Sequence, residues 1–296
     1  MNRKMDVDIL GPAEAKTRWT GRIPLSGAEA VGLLFDQAQV VVASRPGQEL
    51  VLDVEIRGES EAFAEWAPVV EERGGRLFLS EPVLACSARS VRVSLPPSVR
   101  ALSVKTLVGD IEIRATSAAL DLSTKSGDVS VDGGCDVLVK DASGDVKISD
   151  SNAVAVTVVS GEVSLEHCSG PVAVESDSGE ISVQECDGRI AVRTATGNIS
   201  TEGCPGPLAL GSASGDVYLD DGSGSAGGMV ETVSGDICAH LGGADLELQA
   251  QSDSGEIVVG DREASESFPK RLSVRIGRGG PELALSSASG DIDADY

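Results

Sequence analysis

Ser126-Gly127-Asp128-Val129-Ser130-Val131 is one statement of a phrase that this chain repeats. Its glycine recurs as Gly109, Gly127, Gly144, Gly161, Gly179, Gly197, Gly215, Gly235, Gly255 and Gly290, at spacings of 18, 17, 17, 18, 18, 18, 20, 20 and 35 residues. A fixed period near 18 residues is the signature of a coil built from stacked rungs. Two and four places after each glycine stand apolar residues, such as Ile111 and Ile113, Val129 and Val131, Val163 and Leu165, and Ile181 and Val183. This alternation marks a strand with one buried face. A second inward pair precedes the next glycine, as in Leu120 and Leu122, Val154 and Val156, and Ile190 and Val192. Each rung therefore holds two short strands and two turns.

The same spacing locates rungs without the glycine phrase. Val274, Ile276, Leu283 and Leu285 fill the long gap before Gly290, and Val93, Leu95, Leu102 and Val104 fit before Gly109. The coil is thus expected to begin near residue 89. One rung cannot bury its apolar side, whereas many stacked in parallel share a core. At about 4.8 Å per strand, eleven or twelve rungs predict a rod of roughly 50 to 55 Å. The expected fold is all-β, a parallel β-solenoid of residues 89–296 behind a small β-rich cap, residues 1–88.

In the cap region, Gln39–Val42 and Leu50–Ile56 read as strands around Arg45-Pro46-Gly47. Residues 60–73 place Phe63, Trp66, Val69 and Val70 at helical intervals, with Ser60 as N-cap and Gly74 beyond the end. Trp19, Phe35, Phe63, Trp66 and Phe78 give this region five of the eight aromatic residues, suiting it to cover the first rung. Residues 221–228 and 261–270 read as protruding loops. With Ile292 and Ala294 close to Tyr296, the last rung is expected to be an uncapped edge at which copies could meet.

The 296 residues are 41% hydrophobic and include 35 glycines, which suits a turn-rich globular β protein. A formal charge of −23 repels phosphate backbones and anionic headgroups, so nucleic acid and direct membrane insertion are not expected. No apolar stretch is long enough for a transmembrane helix, and the start lacks a secretory pattern, which predicts a cytoplasmic protein.

After each repeat glycine stand Asp110, Asp128, Asp145, Glu162, Glu180, Asn198, Asp216, Asp236, Glu256 and Asp291. Stacking puts these carboxylates in one column, where charges about 4.8 Å apart in water repel by roughly 0.9 kcal/mol per pair. The column has two readings, turn acids that hydrogen-bond locally or a row of cation sites. Cys168, Cys186 and Cys204 recur at one period and should stack as buried thiols, with Cys135 near the same corner, Cys238 inward and Cys86 outside the ladder. His167 should face away from Cys168, and neither His167 nor His240 lies in a nucleophile motif. No catalytic or cofactor-binding residue is assigned and no cofactor is expected.

The strand-rich beginning, the Val91-Arg92-Val93-Ser94-Leu95-Pro96 strand and the serial Ser-Gly-Asp-Val rungs resemble domain-of-unknown-function family 4097 over residues 33–296. The resemblance implies a bacterial β-strand-repeat protein of a kind often labelled adhesin-like, with no catalytic residues to carry over. Together these features predict a non-enzymatic scaffold or interaction module, self-associating through its C-terminal rung. The alternatives are a monomeric ligand- or cation-binding module and, third, a polysaccharide-acting enzyme.

Overall fold

A computed structural model describes residues 7–9, 15–220, 227–265 and 267–296 of the chain. They form an all-β solenoid in two compact units, Met1–Gly144 and Asp145–Tyr296, and the boundary expected at 88 falls inside the first.

In the second unit the period becomes geometry. Val163–Glu166, Ile181–Gln184, Ile199–Glu202, Val217–Asp220 and Ile237–His240 stack in parallel, so that Val163, Ile181, Ile199, Val217 and Ile237 lie in one column. Val172–Ser178, Ile190–Thr196, Leu208–Ser214 and Gly228–Thr232 form the second parallel face. The inward residues of both faces are buried, and each aliphatic side chain removed from water contributes about 1.5 to 3 kcal/mol before conformational entropy is counted.

Toward residue 296 the stack leaves sequence order. Glu282–Ser287 lies between Gly228–Thr232 and Leu246–Ser252, and Ile292–Asp295 lies between Ile237–His240 and Ile257–Val259. The expected uncapped edge at Ile292 and Ala294 is therefore corrected: both residues are buried, with a strand on either side. The cause is Lys270–Ile276, which turns back antiparallel against Leu246–Ser252 and covers that rung from outside. Val274 and Ile276 are inward as expected, yet they oppose Leu248 and Leu246 in an antiparallel ladder and not in a further parallel rung. The expected loop at 261–270 holds the short strand Arg262–Glu263. Of the loop at 221–228, residues 221–226 lie outside the described residues, and Gly228 already begins a strand.

The first unit is threaded in a related way. Ala30–Phe35 lies between Arg76–Ser80 and Ala101–Thr106, and Gln39–Ser44 lies between Cys86–Leu95 and Ile111–Arg114, all parallel. Residues 30–44 thus make a rung of the stack, with Phe35, Val40 and Val42 fully buried. Glu49–Gly58 is a strand as expected, but it pairs with Ala15–Pro24 and Cys86–Leu95 and not with Gln39–Ser44. Trp19 and Trp66 meet edge to face at 5.6 Å within this cover. The helix expected over 60–73 is corrected to a short 3-10 segment, Ser60–Glu65, followed by the strand Val69–Arg73. Pro68 has no N–H to continue a helix, and Gly74 and Gly75, both at positive φ, return Val69–Arg73 onto Arg76–Ser80.

The repeat glycines stack on one another. A Cβ built on Gly197 would lie 2.0 Å from the carbonyl oxygen of Gly179, whereas one on Gly211 meets nothing nearer than Arg193 Cγ at 4.0 Å. Gly197→Ala should therefore cost at least about 3 kcal/mol, among the larger single-residue effects. Gly211→Ala should be neutral or stabilising by up to about 1 kcal/mol, because it restricts only the unfolded chain. Urea unfolding midpoints measure both, and equal effects at the two positions would refute the stacking account.

Candidate interaction surface

At the corner, each part of the repeated phrase bonds across rungs. Among the inner hydroxyls three residues before the glycine, Ser212, Thr232 and Ser287 donate to the carbonyls of Gly197, Gly215 and Gly235 at 3.1 to 3.2 Å. Ser252 donates to the Gly290 carbonyl at 3.0 Å and accepts from the Gly255 N–H at 2.8 Å. The outer hydroxyls beside the glycine reach a neighbouring rung, Thr196 to the Asp177 carbonyl at 3.1 Å and Ser254 to the Ala288 carbonyl at 3.1 Å.

The expected acid column is present, and its side chains act as acceptors. In the first unit Asp110 Oδ1 accepts the N–H of Asp128 at 3.0 Å. In the second, Asp145 accepts the N–H of Glu162, Asn198 that of Asp216, and Asp216 that of Asp236, each at 2.9 Å. The series continues from Asp236 to Asp291 at 2.8 Å and from Asp291 to Glu256 at 2.7 Å, so the last two acids exchange places relative to the sequence. Glu180 takes the rung between Glu162 and Asn198. An Asx side chain is short enough to reach the next N–H, and Asn198 shows that an uncharged amide serves as well. Among the described residues no three His, Cys, Asp or Glu side chains are placed to hold a metal ion together.

Asp216→Asn should therefore leave stability unchanged or raise it slightly, since it keeps the acceptor and removes like-charge repulsion. Asp216→Ala should cost about 1 kcal/mol by leaving the Asp236 N–H without its acceptor. Denaturant midpoints of the two variants test this, and a loss on Asp216→Asn as large as on Asp216→Ala would sink it.

Cys168, Cys186 and Cys204 form the expected buried column, and the Cys168 N–H lies 3.3 Å from Cys186 Sγ. The hydrogen bond with Cys168 and then burial push the Cys186 thiol well up from its ordinary range. Cys135 is exposed. The inward placement of Cys238 is corrected: Ile237 and Ala239 fill the inward positions and Cys238 lies on the outer face, half-buried. His167 also points outward, with Nε2 2.9 Å from Glu185. On the outer face, His240 Nδ1 meets Asp295 Oδ1 at 2.6 Å and so links the inserted strand to its neighbour.

That hydrogen bond, together with the Asp295 charge, raises the His240 pKa above 6.5. A raised folded-state pKa gives stability that is complete below pH 6.5 and lost as pH rises through the raised value. Melting temperature should accordingly fall modestly above pH 6.5, and His240→Ala should flatten that dependence. An unchanged slope in the variant would refute the assignment.

A regular outward surface is formed by the second strand of each rung in the second unit. Between the inward pairs, the outward position is Ala155, Ala173, Ala191, Ala209, Met229 and Ala284, aligned strand to strand. Beside this column run Glu175, Arg193, Gly211, Glu231 and Ser286. Where Gly211 leaves a gap between Arg193 and Glu231, a shallow groove of about 390 Å³ opens, floored by Ser212, Ala213 and Thr232. In the sequence this column is carried by the Val-Ala-Val, Ile-Ala-Val and Leu-Ala-Leu triplets, whose alanine lies between two inward residues.

Stacked two-strand rungs, glycine corners and side-chain ladders define a parallel β-solenoid repeat protein. The chain belongs to the Toastrack family, DUF4097, whose model matches residues 70–200 and 188–294. No curated protein matches it. Similar solved structures include a candidate cell adhesion protein from Clostridium sporogenes ATCC 15579, with 10% identity, coverage of 99% of each chain and a TM-score of 0.23. A candidate adhesin from Bacteroides fragilis NCTC 9343 shows 13% identity, coverage of 94% of this chain and 96% of that one, and a TM-score of 0.31. One from Parabacteroides merdae ATCC 43184 shows 13% identity, the same two coverages and a TM-score of 0.27. At TM-scores of this size the likenesses add nothing to the family assignment.

Proposed function

We propose that the protein is a non-enzymatic interaction module that docks a partner protein on the outward face of its second unit. The observation that carries this reading is the alanine column from Ala155 to Ala284. Alanine is depleted from strands, and an outward strand position in water favours polar or β-branched residues. Methyl groups in a row leave a flat, shallow surface that another flat surface can approach closely, while Met229, 50% exposed, can adapt to what meets it. Arg193 and Glu231, on either side of the groove, supply charge of both signs for orientation.

A cation-binding role for the acid column competes with the N–H groups that its oxygens already accept. The proposal includes a cytoplasmic setting, where the exposed Cys135 and the stacked thiols would stay reduced.

Ala191→Glu and Met229→Glu test the docking face. With circular dichroism unchanged, each should lower the yield of proteins crosslinked to the purified chain in extract from its source cells by about tenfold, the effect of placing a charge at the centre of an interface. Asp128→Asn, outside that face, should leave the yield unchanged. If the face variants retain the same crosslinked proteins, the face is not the docking surface.

A further inference from the structure

We infer that two open strand edges among the described residues, Val69–Arg73 in the first unit and Lys270–Ile276 in the second, recognise each other between copies of the chain. This extends the interaction-module reading by naming a second copy as a partner. Among the described residues, Val69–Arg73 pairs only with Arg76–Ser80, and Lys270–Ile276 only with Leu246–Ser252. Each therefore has one side whose backbone N–H and C=O groups can take up another strand.

The edges carry opposite charge. Val69–Arg73 holds Glu71 and Glu72, of which Glu71 pairs with Arg73 of the same strand at 2.6 Å. It follows a segment with Glu59, Glu61 and Glu65, so that this edge stays net negative after Arg73 and Arg76 are counted. Five of the eight Lys and Arg residues after Gly144 lie between 262 and 278, the others being Lys147, Arg189 and Arg193. Arg275 and Arg278 are engaged by Glu247 and Asp245 at 3.0 and 2.6 Å. Arg271 instead meets the neutral Gln251, and Lys270 lies 5.1 Å from the Phe268 ring, so these two cations have no carboxylate partner among the described residues.

Apolar surface is also exposed at the acidic edge. Val69 and Val70 are 41% and 43% exposed, and Phe78 and Leu34 on the neighbouring strands are 39% and 51% exposed. The charge pattern selects the mode of contact. Basic edges repel one another and acidic edges do likewise, which disfavours a two-fold pairing of identical edges. An acidic edge meeting a basic one is attractive and leaves a free edge on each copy for the next, a heterologous contact. At about 0.15 M ionic strength the Debye length is about 8 Å, so the net charge of −23 is screened over longer range while neighbouring pairs across the contact keep their attraction.

The test is molar mass by light scattering over a concentration series at that ionic strength, with melting curves to establish that each variant folds. The wild-type mass should rise with concentration. Lys270→Glu combined with Arg271→Glu makes both edges acidic, and Glu71→Lys combined with Glu72→Lys makes both basic. Each reversed variant alone should remain monomeric, and an equimolar mixture of the two should regain assembly. A wild type that stays monomeric throughout, reversed variants that assemble like wild type, or a mixture of folded variants that stays monomeric would each overturn the inference. Ala191→Glu should assemble normally. Face-dependent crosslinking without assembly would remove only this inference, whereas charge-dependent assembly without face dependence would remove only the earlier reading.

Discussion

The contact of one glycine with the carbonyl of the glycine in the next rung sets the spacing on which the rest of the structure depends. A Cβ on Gly127, Gly179, Gly215 or Gly235 would come within 2.0 to 2.5 Å of the preceding glycine's oxygen. Parallel strands require about 4.8 Å between rungs, so a corner that tolerated a side chain would have to splay the strands leading into it. Glycine here answers a steric demand from the neighbouring rung as well as a demand of local backbone conformation. That is why it recurs even at Gly197, where φ is unremarkable.

With the corners held together, the adjoining residues become bonding partners. Ser and Thr before the glycine and Asp or Asn after it place oxygens within reach of main-chain groups one rung away. Each such bond contributes about 0.5 to 1.5 kcal/mol net, which offsets a repulsion of roughly 0.9 kcal/mol between adjacent solvated carboxylates only when most of the series is made. The phrase is thus a set of mutually dependent contacts, each residue type serving the one stacked against it. Only the outward residues of the strands, such as the alanine column and its flanks, are released from this duty and can be shaped for a partner.

Rung period, strand positions and inward pairs were legible because burial imposes an alternation that any strand must obey. The order of the strands in space was not. Val274 and Ile276 satisfy the alternation as well in an antiparallel strand as in a parallel rung, so they carry no record of their neighbours. The same holds for Val40 and Val42, whose alternation suits a hairpin equally well. The helix expected at 60–73 failed because Phe63, Trp66, Val69 and Val70 are spaced for a helix while Pro68 forbids one. The acid column was legible in position, but its role needed the third dimension to show which N–H each oxygen meets.

Insertion of a later strand between two earlier ones carries an entropic cost that a regular coil avoids. Ile237 and Ile292 pair across 55 residues, whereas Ile181 and Ile199 pair across 18. For a flexible loop, that difference in length costs about 1 kcal/mol more to close. The offset lies in where the strand ends up: Ile292–Asp295 is bonded on both sides and its glycine, Gly290, stacks between Gly235 and Gly255. Threading therefore places a strand of repeat type, with Asp291, Asp293 and Asp295, inside the stack, and leaves the outside to Lys270–Ile276, which has no glycine corner to match. A strand without that corner cannot extend the solenoid by another rung. Whatever meets this edge must do so through main-chain pairing and the arginines and lysine that line it.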